Sequence, residues 1–195
     1  MRQLGIEEMQ AGLAHIRQAP KDCGVVALIV RRPTVDEREV LTEGQLTVGD
    51  GLVGDGWRAR RSTSTPDGSA NPEMQLNLMG SRVVALLAQE KERWPLAGDQ
   101  LFLDLDLSEE NLPPGTRLAL GTAVIAITAP PHLGCKKFAA RFGPHAVPFV
   151  NSPEGRRLHL RGLNAKVIQP GLVRVGDAVR KLAPAPDGPA SGSPG

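Results

Sequence analysis

The 195-residue chain contains no tyrosine, and aromatic residues make up only 3% of it. Proteins that hold single-stranded nucleic acid stack bases on aromatic rings, so this chain is poorly equipped for that task. It also lacks the charge excess that grips a polyanion. Its 23 basic residues face 21 acidic ones, for a formal net charge of +2. A nucleic-acid partner is not expected. Cysteine is scarce: Cys23 and Cys135 lie far apart in sequence, which suits a reduced, cytoplasmic setting better than a disulfide framework. At this length a chain can bury a core without one. No apolar run approaches the roughly 20 residues that span a bilayer, and the first residues are too acidic and polar for a signal peptide. No membrane association is expected. No P-loop lysine pattern is present, and Asp67-Gly68-Ser69 does not form a serine-nucleophile elbow.

What the chain does have is a succession of short strand-like runs punctuated by glycine and proline. Residues 4–18 come first, with Ile6, Met9, Leu13 and Ile16 at helical spacing, and Pro20 stops that helix. Residues 24–30 are nearly all apolar and rich in β-branched side chains, which is strand-like. Val40-Leu41 and residues 44–50 follow as shorter strands, and the latter resembles residues 114–121 and 170–177: a turn, a short alternating strand, then a glycine turn. Met74 to Met79 alternates with period two, Ser81 is placed as N-cap of a helix over 82–94, and Leu101 to Leu107 alternates leucine with aspartate. Asp104 and Asp106 therefore belong to a solvated strand face. Residues 115–128 give the longest strand-like run, 144–157 are turn-rich, 158–168 read as a strand pair or bent strand, and 178–182 as the last strand. Such recurrence predicts a closed or strongly curved sheet. The domain organisation read from this pass is an N-terminal helix over 1–20, a domain over 21–182 and a disordered Pro/Gly/Ser-rich tail over 183–195.

Two stretches carry candidate chemistry. In the first, Gly51, Gly54 and Gly56 precede Arg58, Arg60 and Arg61, three guanidinium groups beside a glycine-rich loop that could grip phosphate or carboxylate. In the second, Pro130-Pro131-His132-Leu133-Gly134-Cys135-Lys136-Lys137-Phe138 ends a β-rich run and opens a short helix over 136–142. A thiol at the first turn of a helix and beside two lysines is favoured as thiolate. The competing reading is an inert cysteine packed as a small apolar residue. His132-x-x-Cys135 has ligand-like spacing, but structural zinc needs four ligands; no CxxC or HxxxH frame exists, and His145 and His159 could contribute only if the fold gathers them.

The order of these segments is more specific than any one of them. The strand at 24–30 is followed by Gly-Leu-Val-Gly-Asp at 51–55, a strand–helix at 74–94 and Gly98-Asp99-Gln100-Leu101. Leu-Pro-Pro-Gly-Thr-Arg-Leu-Ala-Leu-Gly at 112–121, Gly-Cys-Lys-Lys-Phe at 134–138 and Arg-Gly-Leu-Asn-Ala-Lys-Val-Ile-Gln-Pro-Gly-Leu-Val-Arg-Val-Gly-Asp-Ala-Val at 161–179 complete the series. This series resembles the MOSC family, named for the C-terminal domain of molybdenum-cofactor sulfurases, over about residues 21–182. The resemblance implies a mainly β, single-domain, β-barrel-like fold of mostly antiparallel strands with a few helices. It also implies a cleft for the pterin-based molybdenum cofactor (molybdopterin). The family's cysteine, which carries sulfur as a persulfide or ligates molybdenum, maps to Cys135. Gly54, Asp55, Asp99 and Arg161 fall on family motif positions, and Arg58 and Lys136 are added as phosphate contacts by position and charge. Members commonly carry a histidine after Gly-Asp where this chain has Gly56-Trp57-Arg58, and Gly-Glu-Asn-Leu where it has Gly98-Asp99-Gln100-Leu101.

The function implied is molybdenum-cofactor binding and sulfur handling. The alternatives are a molybdenum-dependent reductase of N-hydroxylated compounds, or a barrel that has lost the cofactor and binds another small ligand. The chain has no desulfurase part with a pyridoxal-phosphate lysine, so a cysteine desulfurase would have to supply sulfur, and a reductase would need a separate electron-transfer partner.

Overall fold

The computed structural model describes residues 3–63 and 65–183. Two short helices, α1 (Ile6–Ala11) and α2 (Leu13–Ile16), open the chain. Then come β1 (Cys23–Arg31), β2 (Glu39–Leu41), β3 (Glu43–Thr47), β4 (Gly51–Leu52) and β5 (Leu76–Gly80). Helix α3 (Ser81–Ala88) and a 3-10 segment over Lys91–Ala97 lead to β6 (Leu101–Asp104), then to a hairpin of β7 (Arg117–Leu120) and β8 (Ala123–Ile127). Three helices, α4 (Lys136–Phe142), α5 (Ala146–Asn151) and α6 (Pro153–Arg157), precede β9 (Leu163–Gln169), β10 (Gly171–Arg174) and β11 (Ala178–Lys181).

Seven strands close into a barrel. Around the ring the order is β1, β11, β7, β8, β9, β5, β6 and back to β1. The β5–β6 pair is parallel and the other six junctions are antiparallel. Helix α3 joins β5 to β6 and supplies the crossover that a parallel neighbour requires. Strand β2 lies along the far half of β1, while β10, β3 and β4 form a separate three-stranded sheet. The fold is thus the mainly β, single-domain barrel with a few helices that the sequence leads one to expect.

Two cores hold it. Side chains alternate across a strand, so Val26, Ile29, Leu78, Leu103, Leu118, Ile125 and Leu163 point into the barrel. Leu28, Val30, Met79 and Phe102 point outward and are covered by Met9 and Leu13, by Val83, Val84 and Leu87 of α3, and by Phe138, Phe142 and Phe149. A bulge between Val26 and Leu28 in the pairing with β6 puts these residues, two apart in sequence, on opposite faces. Strand β1 reads as a continuous apolar run because both of its faces are buried.

Several expectations are corrected in detail. The N-terminal helix is interrupted at Gly12, where a Cβ would strike Leu86. The helix expected over 82–94 with Ser81 as cap begins at Ser81, with Gly80 at the cap position, and ends at Ala88. Gln89, at φ 63°, turns the chain out of it, and Pro95 sits inside the following 3-10 segment instead of ending an α-helix. The long run over 115–128 is a hairpin that folds back at Gly121-Thr122, and the turn-rich 144–157 contains α5 and α6. The tail expected from residue 183 lies, apart from Ala183, outside the described residues.

Candidate functional site

The end of the barrel to which β1 delivers Arg32 carries the site. Arg32 follows an apolar strand yet is 3% exposed, so its charge needs compensation. Asp55 provides it: its Oδ2 accepts from Arg32 Nε at 2.9 Å and from the Arg32 backbone N at 2.9 Å, and its Oδ1 accepts from Nη2 at 3.0 Å. The same carboxylate caps the 3-10 turn Gly56–Ala59 by accepting from Trp57 N at 2.9 Å. Arg32 Nη1 donates to Asn77 Oδ1 and to the Gly98 carbonyl. From Asn77 the network continues to Asn164 Oδ1 at 2.7 Å, and Asn164 Nδ2 donates to the Pro130 carbonyl at 2.9 Å. A chain of amides thereby ties β1, β5 and β9 to the loop that leads to Cys135.

A second buried pair lies beside the first. Asp99, 0% exposed, accepts from Arg161 Nη1 at 2.9 and 2.8 Å. Arg161 also donates from Nη2 to the Ala97 carbonyl, and its guanidinium stacks 4.7 Å from the Phe138 ring centroid. Gly162 follows at φ 109°, and a Cβ there would come within 2.0 Å of the Leu78 carbonyl, so only glycine lets the chain run this close to β5. His132 Nδ1 stands 3.4 Å from Asp99 Oδ1 without a hydrogen bond.

Cys135 itself is exposed and sits at the N-cap position of α4. Its backbone is held from both sides. Asn151 Oδ1 accepts from Gly134 N and Asn151 Nδ2 donates to Gly134 O, clamping the preceding peptide. Phe138, on the first turn of α4, anchors the following one in the outer core, with the tilted Phe142 ring 4.8 Å away between centroids. The thiol is presented to solvent from a fixed frame, so it is not a packed core cysteine.

The residues Arg32, Arg38, Arg60, Arg141, Arg161 and Lys137 share with His132 and Cys135 a cleft of about 370 Å3. Arg32 and Arg161 are committed to Asp55 and Asp99, and Arg141 and Lys137 face Asp36 at 3.0 and 3.6 Å. Arg38 and Arg60 have no carboxylate partner among the described residues. Burial and the charges of Arg141 and Arg32 lower the Arg38 pKa from its ordinary value, and burial and the charge of Arg32 do the same for Arg60. Arginine stays protonated regardless; the shifts express burial first and then neighbouring positive charge, which Asp36 and Asp55 offset in part. Three buried polar atoms in the cleft, Arg38 Nε, His132 Nδ1 and Arg161 Nε, have no hydrogen-bond partner among the described residues. The arrangement suits an anionic ligand with several acceptor atoms lying next to a thiol.

The family model for the MOSC domain matches residues 71–180, more than half of the chain. The chain belongs to the MOSC domain family. No curated protein matches its sequence. Among solved structures, YuaD from Bacillus subtilis superposes with a TM-score of 0.57 at 14% identity, covering 80% of this chain and 94% of its own. A hypothetical protein superposes with a TM-score of 0.56 at 19% identity, covering 85% of this chain and 71% of its own. YiiM from Escherichia coli gives 0.49 at 21% identity, covering 84% and 72%. At these identities the likeness is one of fold.

Within this MOSC domain the residues singled out from sequence fall into three groups. Cys135 and Arg161 line the cleft, and Asp55 and Asp99 lie behind it as the buried partners of its arginines. Gly54, at φ 80°, is a turn residue against which Arg31 packs, and it does not line the cleft. Arg58 turns to the surface and pairs with Asp50 at 2.9 Å, while Lys136 is exposed and likewise not a lining residue. Their neighbours Arg60 and Lys137 take the cleft positions. Arg32, Arg38, Arg141 and the Asn77–Asn164 bridge were not among the sequence candidates. The one local signal was Arg32, a charge at the end of a doubly buried strand. Cys23 begins β1 at the end opposite Arg32, roughly 30 Å away at strand rise, and no disulfide links it to Cys135. Among the described residues no group of three or more His, Cys, Asp or Glu side chains could hold a metal by itself, and no helix is long and apolar enough to cross a membrane.

The electrostatics of the cleft make one stability prediction. Burial, then the charges of Arg161 and Arg32, hold the His132 imidazole well below its ordinary pKa. The folded protein therefore keeps His132 neutral while the unfolded chain protonates it near pH 6.5. Stability from this residue is full above that pH and is lost as the pH falls. Burial raises the Asp99 pKa against the pull of Arg161, and that effect has the opposite sign. Comparison with His132→Gln isolates the histidine. Between pH 7.5 and 5.5 the wild type is expected to lose about 1.4 kcal/mol more than the variant. Urea midpoints at the two pH values measure it, and equal losses in both proteins would refute a buried neutral His132.

Proposed function

We propose that this MOSC domain binds the molybdenum cofactor in the arginine-lined cleft and uses Cys135 as its sulfur-bearing or metal-ligating thiolate. The observation that carries this reading is the exposed, backbone-clamped Cys135 sharing one cleft with Arg38 and Arg60, two arginines without a carboxylate partner among the described residues. The donor set fits the group. A phosphate-bearing pterin would offer several anionic oxygens to guanidinium forks, and Cys135 would hold its metal or carry its sulfur through the single exposed thiol. When bound, the cofactor would supply the redox or sulfur-accepting chemistry.

The chain's own residues do the rest. Arg38 and Arg60 bind the anionic end, and Arg32 and Arg161, locked by Asp55 and Asp99, keep the cleft wall positive and rigid. The Asn151 clamp and the Phe138 anchor hold Cys135 at a constant place relative to that wall. Sulfur handling is preferred to reduction of N-hydroxylated compounds, because the thiol stands open to a donor protein. A cysteine desulfurase is the donor class this reading needs.

The test is purification from cells that make the cofactor, followed by molybdenum and pterin analysis and by persulfide labelling after incubation with a cysteine desulfurase and cysteine. Wild type is expected to retain pterin and to take up sulfur at Cys135. Cys135→Ser is expected to lose all sulfur uptake and to keep its melting temperature, since the thiol is exposed and makes no core contact. Absence of both pterin and persulfide in wild type would sink the proposal. Turnover of a hydroxylamine only when a reductase partner is added would move the function to the reductase reading.

A further inference from the structure

The wall formed by His132 and Arg161 has a second side. Behind it lies a cavity of about 300 Å3 with a different character from the arginine cleft. Its floor is aliphatic, made by Leu112, Ile127, Val150 and Leu163, and the Pro130–Leu133 loop closes one flank. Arg156 and Arg157, at the basic end of α6, stand at its mouth with Glu109. Arg156 Nε donates to the Asn151 carbonyl, whereas the Arg157 guanidinium has no partner among the described residues. The volume is at the lower end of small-molecule pockets, roughly 300–1,000 Å3, and the mix of an apolar body with a few convergent polar groups is typical of them.

The shared wall is what gives this cavity a role. His132 and Arg161 line both spaces, and each carries a buried polar atom, Nδ1 and Nε, without a protein partner. A molecule filling the aliphatic cavity would abut the Cys135 cleft across one layer of side chains. Its acidic group would meet the arginines at the mouth, and its apolar body would cover the aliphatic floor.

We infer that the cavity is the subsite for an organic substrate: a compact, largely apolar molecule carrying a carboxylate, seated on Leu112, Ile127, Val150 and Leu163 with its acid at Arg156 and Arg157. As a substrate site this rests on the proposed reading of the Cys135 cleft as the reaction centre. The aliphatic floor excludes highly polar molecules, because a hydroxyl or amide placed there would lose its water without gaining a partner.

The experiment uses the full chain and two matched probes, cyclohexanecarboxylate and cyclohexanecarboxamide, titrated at low salt while backbone amide resonances are followed by NMR. The carboxylate is expected to shift the amides of Ile127, Gly155 and Leu163, and to bind about fivefold more tightly than the carboxamide, as an exposed arginine–carboxylate pair allows. Arg157→Ala should abolish that preference. Leu133→Trp, at a half-exposed position on the cavity flank, should weaken both probes about tenfold with an unchanged melting temperature. No shift at those three amides, equal affinity for the two probes, or a preference that survives Arg157→Ala would overturn the inference. Molybdenum and pterin content of the same preparation keeps the two readings apart. Acid binding without cofactor leaves a carboxylate pocket and removes the Cys135 centre, and cofactor without acid binding does the reverse.

Discussion

Asp55→Ala is expected to destabilise the domain by about 3–5 kcal/mol, the range found when a buried ion pair loses one partner. The loss is large because Asp55 does more than balance charge. It accepts from Arg32 through the backbone and two side-chain nitrogens, from Trp57 N, and from Gln100 Nε2 at 3.3 Å. Removing it strands a guanidinium that is 3% exposed, uncaps the 3-10 turn that carries Arg60, and leaves Gln100 with one fewer acceptor. Urea denaturation with an unchanged m-value and a lowered midpoint is the expected signature. The double variant Arg32→Met with Asp55→Leu is expected to recover only part of the stability: an apolar pair avoids the desolvation cost of both charges, but Arg32 N, Trp57 N and Gln100 Nε2 still lose the Asp55 acceptor. Cofactor binding should stay weaker than in wild type, since the wall then lacks the charge of Arg32. A loss below about 1 kcal/mol in the single variant would mean that water reaches Arg32 and that the pair is not the structural base of the cleft.

The contrast between Asp55 and Arg58 shows what the sequence could and could not convey. Both sit in the same short stretch, Asp55 on a family motif position and Arg58 as a phosphate contact by position and charge. Asp55 turned inward because Arg32, 23 residues earlier, arrives buried at the end of β1 and has to be neutralised. Arg58 turned outward because the 3-10 turn over Gly56–Ala59 puts Trp57 in the core and leaves Arg58 beside Asp50. A register of one turn decided which arginine of the 58–61 group entered the cleft, and local composition does not encode that. The same holds for Lys136 and Lys137 at the start of α4: Phe138 fixes the rotation of the helix, and the rotation selects Lys137. Barrel strands were legible because alternation and glycine punctuation are local signals. The pairing of Asn77 with Asn164, 87 residues apart, is a tertiary fact with no local trace. Asp104 illustrates the middle case. The leucine–aspartate alternation placed it on the outer face of β6, where it is partly exposed, and what periodicity omits is its pairing with Arg82 of α3 at 2.7 Å.

Arg38→Ala with Arg60→Ala is expected to weaken binding of a phosphorylated pterin by about 100-fold, and to leave the fold intact. Two charge-assisted hydrogen bonds of about 1.5–3 kcal/mol each would give a larger factor in a dry site, and the partial exposure of both arginines places the effect near the low end. Stability should change by no more than about 0.5 kcal/mol, or should rise slightly. The reason is that burial opposes both charges, and that Arg141 and Arg32 act against the charge of Arg38 and Arg32 against that of Arg60. A structure that holds like charges together without carboxylate partners gives up some stability, and the compensation comes only when an anion binds. Wild type should therefore gain melting temperature on addition of inorganic pyrophosphate, as any ligand of the folded state provides, and the double variant should not. Asp55→Ala loses fold and binding together, whereas this variant loses binding alone. If the double variant instead unfolds as readily as Asp55→Ala, the two arginines are structural and the cleft is not built for an anion.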